Sequence, residues 1–135
     1  KTNTLWPDDV RTRADIMRWQ SWGIAHWDRD ACEPLLFERV VKQILNAGPP
    51  DEALVADATQ QFKNSAGVLD AHLANQPYLV ENSVTLADFS VAAPLFYSDR
   101  AGFPLAEFPN LREWFGRVSS LACWKQTAPQ FAAAA

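Results

Sequence analysis

Between Asp51 and Ala74 the apolar residues Val55, Ala58, Phe62, Ala66, Leu69 and Leu73 recur every three or four positions. That spacing is the period of an α-helix, and it is sustained for longer than any other pattern in the chain. Nothing in the 135 residues competes with it as a strand signal. There is no alternating β-branched run and no Asn-Gly or Asp-Gly hairpin turn. The stripe therefore needs other helices to cover it, and the chain is expected to be an all-α bundle of five to six helices.

The second constraint is the segment "VTLADF", residues 84–89. A threonine three residues before an aspartate is a capping box. The Thr85 hydroxyl accepts from the N–H of Asp88, and the Asp88 carboxylate reaches back to the N–H of Thr85. Val84 and Phe89 stand at the positions of a hydrophobic staple. The helix that follows, "LADFSVAAPLFYSDRAG", is apolar on nearly every side until Ser98, so it is expected at the centre of the bundle. Pro94 lacks an N–H and crowds the carbonyl of Ser90, which predicts a bend there.

Upstream, Pro7 and two acidic residues predict a first long helix from about Asp9 to about Arg29. Placed at 100° intervals, Val10, Ala14, Met17, Ile24 and Ala25 fall on one side. Ile16, Trp19, Trp22, Gly23, His26 and Trp27 fall on the other. Two apolar faces require either packing on both sides within the domain or a further partner: a second domain, a second subunit or a ligand. Pro34 is expected to open a second helix, "PLLFERVVKQIL", with Leu36, Val40 and Ile44 inward and Glu38, Arg39 and Lys42 in water. "NAGPPDE" ends it. A last helix starts near "FPNLREW", with Leu111, Trp114, Phe115, Val118 and Leu121 inward, and "ACWKQT" closes over it with Trp124 as a lid.

Composition narrows the function. Apolar residues make up 48% and charged residues 21%, a globular balance, and at this length folding buries roughly two thirds of the unfolded surface. The net charge of −4 offers no basic face for phosphates, so no nucleic acid partner is expected. No apolar run reaches the ~18 residues of a membrane span. Cys32 and Cys123 have no Cys or His at metal-ligand spacing and read as reduced, inert thiols of a cytoplasmic protein, a single disulfide remaining open. No catalytic residue and no metal site is expected, since no nucleophile triad, phosphate loop or carboxylate pair stands out.

The ordered set "PYLVENSV", the T-x-x-D box, "PNLREWFGRVSSLACWKQT" and the opening "LWPDDVRTRADIMRWQSW" resembles the C-terminal helical domain of the cytosolic glutathione transferases, from about Leu5 to Thr127. The resemblance implies a linker-like segment over residues 1–8, the helical domain over 9–127 and a tail over 128–135. It also implies that the first long helix lines a subunit interface and one wall of an active cleft. By this likeness Trp19, Trp22 and His26 are candidate substrate-binding residues on the face turned to the cleft. The competing reading has them pack against another domain, with His26 bonded to a carbonyl. Arg13 and Asp15 resemble cleft-facing or interface positions, or else lie on a solvated surface. Thr85 and Asp88 are structural under every reading.

In the resembled family an N-terminal thioredoxin-like domain binds and activates glutathione, and none of its sequence is present. The chain thus looks like a separated or truncated C-terminal half, or a natural single-domain relative. The implied function is the hydrophobic co-substrate and dimer-interface domain of a detoxification transferase that conjugates glutathione to electrophiles. Its partners would be the missing thioredoxin-like domain, a second copy forming a homodimer through the first long helix, and a hydrophobic electrophilic small molecule. No cofactor is implied; glutathione is the co-substrate of the parent enzyme. Alone, the chain is expected to be inactive. The alternative is a non-catalytic protein-interaction module of the same fold. A carrier of small apolar ligands is a third reading.

Overall fold

The computed structural model describes residues 5–127. The expected tail, 128–135, and the first four residues of the linker-like segment lie outside the described residues. Every regular element described is helical. Five helices follow one another: α1 over residues 10–45, α2 over Glu52–Leu73, α3 over residues 86–101, α4 over Pro109–Ser119 and α5 over Ala122–Thr127.

α1 departs from expectation. It does not stop near Arg29 but continues through Pro34 as a single helical path. After an α-helical start at Val10–Trp22 it widens into π-type turns over Gly23–Cys32, and again over Phe37–Val41. At the end of these stretches the N–H of Glu33 bonds the carbonyl of Asp28, and the N–H of Lys42 bonds that of Phe37. Both are i→i−5 bonds, which turn the helix more slowly than 100° per residue. The even projection of the sequence holds as far as Trp27, which is buried on the expected side, and loses its register further along. Glu38, expected in water, is buried, while Ile44, expected inside, is 61% exposed. Val40 is buried as expected, and Leu35 rather than Leu36 or Ile44 fills the interior beside it.

Asp9 caps the start of α1, accepting the N–H of Thr12 at 2.8 Å. These bonds hold the Asp9 carboxyl below its usual range. Asn46, in the left-handed conformation, ends the helix. α2 begins at Asp51, which accepts the N–H groups of Ala53 and Leu54. Its six stripe residues are all buried, as the period predicts. Burying a large apolar side chain is worth roughly 1.5–3 kcal/mol, so this stripe is a principal stabilising surface.

The box at the start of α3 is present in full. The N–H of Thr85 donates to Asp88 Oδ2 at 2.8 Å, and the Thr85 hydroxyl donates to the same oxygen at 3.1 Å. Asp88 Oδ1 accepts the N–H of Leu79 and the indole N–H of Trp114, each at 2.9 Å. A wholly buried carboxylate thus ties the preceding loop, α3 and α4 together. α3 narrows to a 3₁₀ stretch over Ala93–Tyr97, at the bend expected from Pro94, before Ser98–Ala101 completes it. In a 3₁₀ turn the carbonyl of Val91 would pair with residue 94, which as proline has no donor. The buried indole of Trp27 supplies one at 2.9 Å.

Gly23 lets α1 approach that point, since a Cβ there would lie 3.3 Å from Val91 Cγ2. The far end of α3 is closed by Arg39, whose guanidinium donates to the carbonyls of Ala101 and Gly102. α4 has no side-chain cap of its own. Asp70 of α2 takes that place, accepting the N–H of Leu111 at 2.9 Å and the Asn110 amide at 3.1 Å. Leu111, Trp114 and Val118 are buried, and Trp124 packs against the core from α5.

Candidate functional site

The interior faces of α1 and α2 share a run of rings. His72 lies against Trp19, then Trp22, Trp27, Phe62 and Phe103 follow, with neighbouring centroids 4.6–6.4 Å apart. Trp19 is only 3% exposed, so it belongs to the core, and its indole N–H has no acceptor among the described residues. Trp22 is half-buried against the same core. His26 turns outward, with its ring nitrogen 3.7 Å from Asp30. The three expected substrate residues therefore occupy three environments: interior, boundary and water.

The apolar side of α1 that stays open is the other one. Val10, Met17 and Ile24 repeat every seven residues, and Ile24 is 71% exposed. Of the two faces read from the sequence, the tryptophan face is covered by α2 and α3, and the Val10 face has no cover within the described chain. Arg13 is occupied locally by Asp8 at 2.8 Å and by the carbonyl of Pro7. Asp15 pairs with Arg18 at 2.7 Å.

Where α3 bends, a cleft of about 360 Å³ opens between it and the π-type stretch of α1. Leu36, Ala93, Pro94 and Cys32 give it an apolar floor, and Asp28, Glu33, Ser90 and Tyr97 give it a polar rim. The 3₁₀ stretch carries Ala93, Pro94 and Tyr97 along one wall. On the other, the i→i−5 geometry sets Asp28 and Glu33, five residues apart, along the same edge. The exposed side of α3 corrects one expectation: this helix is buried through Ala87, Asp88, Val91, Ala92 and Leu95, yet Leu86, Ser90 and Ala93 open outward. Ser90 is held by Gln20, whose amide donates at 2.9 Å, and donates in turn to the carbonyl of Leu86.

Electrostatics limit what the cleft can do. Burial first, and the Glu33 charge second, push the Asp28 carboxyl up. Burial first, and the Asp28 charge second, push the Cys32 thiol well above its ordinary range, so at neutral pH it is an unreactive thiol. The cleft can bind by shape and by hydrogen bonds to its rim, and the thiol in its floor is not a thiolate at neutral pH. Among the described residues no group of His, Cys, Asp and Glu could hold a metal ion, and no helix is long and apolar enough to cross a membrane.

None of Trp19, Trp22 and His26 borders this cleft. Its own residues were hidden in the sequence because only a π-type spacing aligns Asp28 with Glu33. Pro94, by contrast, was legible as a break in α3, and it lies in the lining of the cleft.

Comparisons with known proteins give a consistent picture. Residues 52–117 match the family model of the glutathione S-transferase C-terminal domain. FtsZ-localized protein A of Caulobacter vibrioides is 27% identical over 118 residues, covering 87% of this chain and 52% of that protein. Glutathione S-transferase 3 of Zea mays is 30% identical over 106 residues, covering 76% of this chain and 47% of that protein. The chain thus spans about half the length of these curated relatives. A glutathione S-transferase structure from Rhodospirillum rubrum superposes with a TM-score of 0.87 at 22% identity, over 96% of this chain and 59% of that one. At that identity the likeness speaks for the fold.

Proposed function

The chain carries the C-terminal helical domain of the glutathione S-transferase family, and from that premise we propose that it forms the electrophile-binding half of a transferase that conjugates glutathione. In such a reaction the glutathione thiolate attacks an electrophilic carbon, a sulfur–carbon bond forms, and the leaving group departs with its electron pair. The thiolate would be bound and activated by a thioredoxin-like domain. This chain would hold the electrophile and keep water away from it.

The observation that carries the reading is the cleft at the α3 bend. It is open, floored by Leu36, Ala93 and Pro94, and contains no activated nucleophile of its own. Trp22 and His26 would form the boundary toward the adjoining domain, with Trp19 packed behind them. The Val10–Met17–Ile24 stripe would meet a second subunit, making the parent enzyme a homodimer. We place it in the cytoplasm, in keeping with reduced Cys32 and Cys123.

A fusion of this chain behind a thioredoxin-like glutathione-binding domain tests the proposal, with chlorodinitrobenzene as electrophile. The chain alone is expected to give no turnover and the fusion measurable turnover. Leu36→Trp, which fills the cleft floor, should raise KM for the electrophile and leave KM for glutathione unchanged. Unaltered kinetics in that variant would reject the cleft as the electrophile site.

A second reading, a non-catalytic interaction module, is favoured by one observation. A relative spanning 87% of this chain is named for its localisation with another protein rather than for a reaction. An active fusion would reject it.

A further inference from the structure

Glu33 stands on a ridge between two depressions. One is the cleft at the α3 bend. The other is a trough of about 390 Å³ on the opposite flank, between the middle of α1 and the first two turns of α2, lined by Asp30, Glu33, Pro34, Phe37, Leu54 and Asp57 among others.

The trough has two chemical characters at once. Phe37 and Leu54 leave 45% and 53% of their surfaces in water, large exposures for an aromatic and a leucine facing each other across a groove. Around them every ionisable lining residue is an acid: Asp30, Glu33, Glu38 and Asp57. Asp30 is matched by Arg29 at 2.8 Å and Glu38 by Lys42 at 2.6 Å. The carboxylates of Glu33 and Asp57 have no hydrogen-bond or ion-pair partner among the described residues. The negative field spreads over the ridge, since the Glu33 charge helps to push up the carboxyl of Asp28 beyond it.

We propose that this trough docks a basic amphipathic helix of a partner protein, its apolar residues on Phe37 and Leu54 and its lysines or arginines against Glu33 and Asp57. The occupant follows from complementarity. A small cation would leave much of itself in water, because the trough is an open furrow between two helices and a small ligand needs most of its surface enclosed. A helix laid along a furrow buries a stripe of apolar residues and keeps its flanking charges at the rim. A second copy of this chain, with a net charge of −4, would bring like charge to an acidic rim.

The experiment uses a fluorescein-labelled peptide of about four helical turns, built from leucine at helical spacing and lysine elsewhere, titrated against the chain at about 0.15 M salt. Fluorescence anisotropy reads binding. Glu33→Gln with Asp57→Asn should weaken it at least about tenfold, as should Phe37→Ala with Leu54→Ala. Asp99→Asn with Glu113→Gln makes the same change of net charge elsewhere and should leave it within about twofold. All six positions are exposed, and unchanged melting curves would show the variants folded. Equal losses in the trough and control variants would overturn the proposal, because binding would then follow net charge alone. So would sedimentation showing concentration-dependent self-association that Phe37→Ala with Leu54→Ala abolishes, since the trough would then hold a second copy.

Discussion

Asp88 and Trp114 are joined across 26 residues of sequence by a buried hydrogen bond of 2.9 Å from the indole N–H to the carboxylate. The same oxygen also receives the N–H of Leu79. The residue that starts α3 is thus also what fastens the preceding loop and α4 to it. Asp88→Ala would leave the N–H groups of Leu79 and Thr85 and the Trp114 indole without their acceptor in a dry interior. The expected loss is about 3–5 kcal/mol, a fall in melting temperature of about 10 °C or more. Thermal denaturation followed by circular dichroism checks it. Asp88→Asn, which keeps one acceptor oxygen, should lose less.

Glu81 adopts φ 58°, a left-handed conformation costly for a residue with a Cβ, while its carboxylate meets the Thr12 hydroxyl at 2.8 Å. Glu81→Gly removes the strain and loses one part-buried hydrogen bond, the Thr12 hydroxyl keeping Asp9 Oδ2 as an acceptor at 2.9 Å. The balance should raise stability by about 0.5 kcal/mol. Glu81→Ala keeps the strain and loses the bond, so it should melt below the parent. Paired denaturant titrations of the two variants separate backbone strain from side-chain contact.

Acid titration should show the Glu38 link. The N–H of Asp51 first, and Lys42 second, hold the Glu38 carboxyl below its usual range. A carboxyl lowered in the folded state adds stability above the unfolded value of about 4.3, and that stability is lost as pH falls through the lower folded value. Glu38→Gln should therefore flatten the acid limb of a plot of melting temperature against pH. Asp28 has the opposite sign, because its carboxyl is pushed up by burial and by Glu33. Asp28→Asn should raise the melting temperature at neutral pH, with the gain shrinking as the pH falls and the parent's Asp28 takes up its proton.

The Trp27 indole donates to the carbonyl of Val91 beside Pro94. Trp27→Phe keeps most of the ring but withdraws the donor. It should cost about 1–3 kcal/mol, the acceptor being buried and lacking a 3₁₀ partner. Pro94→Ala restores a backbone N–H, so the two substitutions together should cost less than their sum, measurable as a double-mutant cycle.

If Val10, Met17 and Ile24 face another subunit, Met17→Lys should reduce self-association in sedimentation velocity without lowering the melting temperature, since Met17 is 57% exposed. Equal sedimentation of parent and variant would remove this stripe from the interface.

The sequence was most informative where a single helix geometry held. The Val55–Leu73 stripe runs through an unbroken α-helix, so every residue it named is buried. The Thr85–Asp88 box is a local device complete within four residues, and it formed as read. α1 defeated the same method because its hydrogen bonds change from i→i−4 to i→i−5 at Gly23, and Pro34, readable as a helix start, sits inside a continuing one. The cleft was illegible for the same reason, since Asp28 and Glu33 share an edge only on the wider turn. The reach of Asp88 to Leu79 and Trp114 had no local signature at all. A carboxylate has room for several donors, and spacing along the chain does not say which distant ones will arrive.

The two widened stretches of α1 act as a vernier along one rod. Because each changes the angle turned per residue, the direction in which Val10 and Met17 face relative to Phe37 is set by how many residues lie on the wider turns. A deletion of one residue within Gly23–Cys32 would swing the distal half by about a quarter-turn, carrying Leu35 and Val40 out of the core along with the furrow beside them. The length of that stretch is therefore held by the interior as well as by either surface.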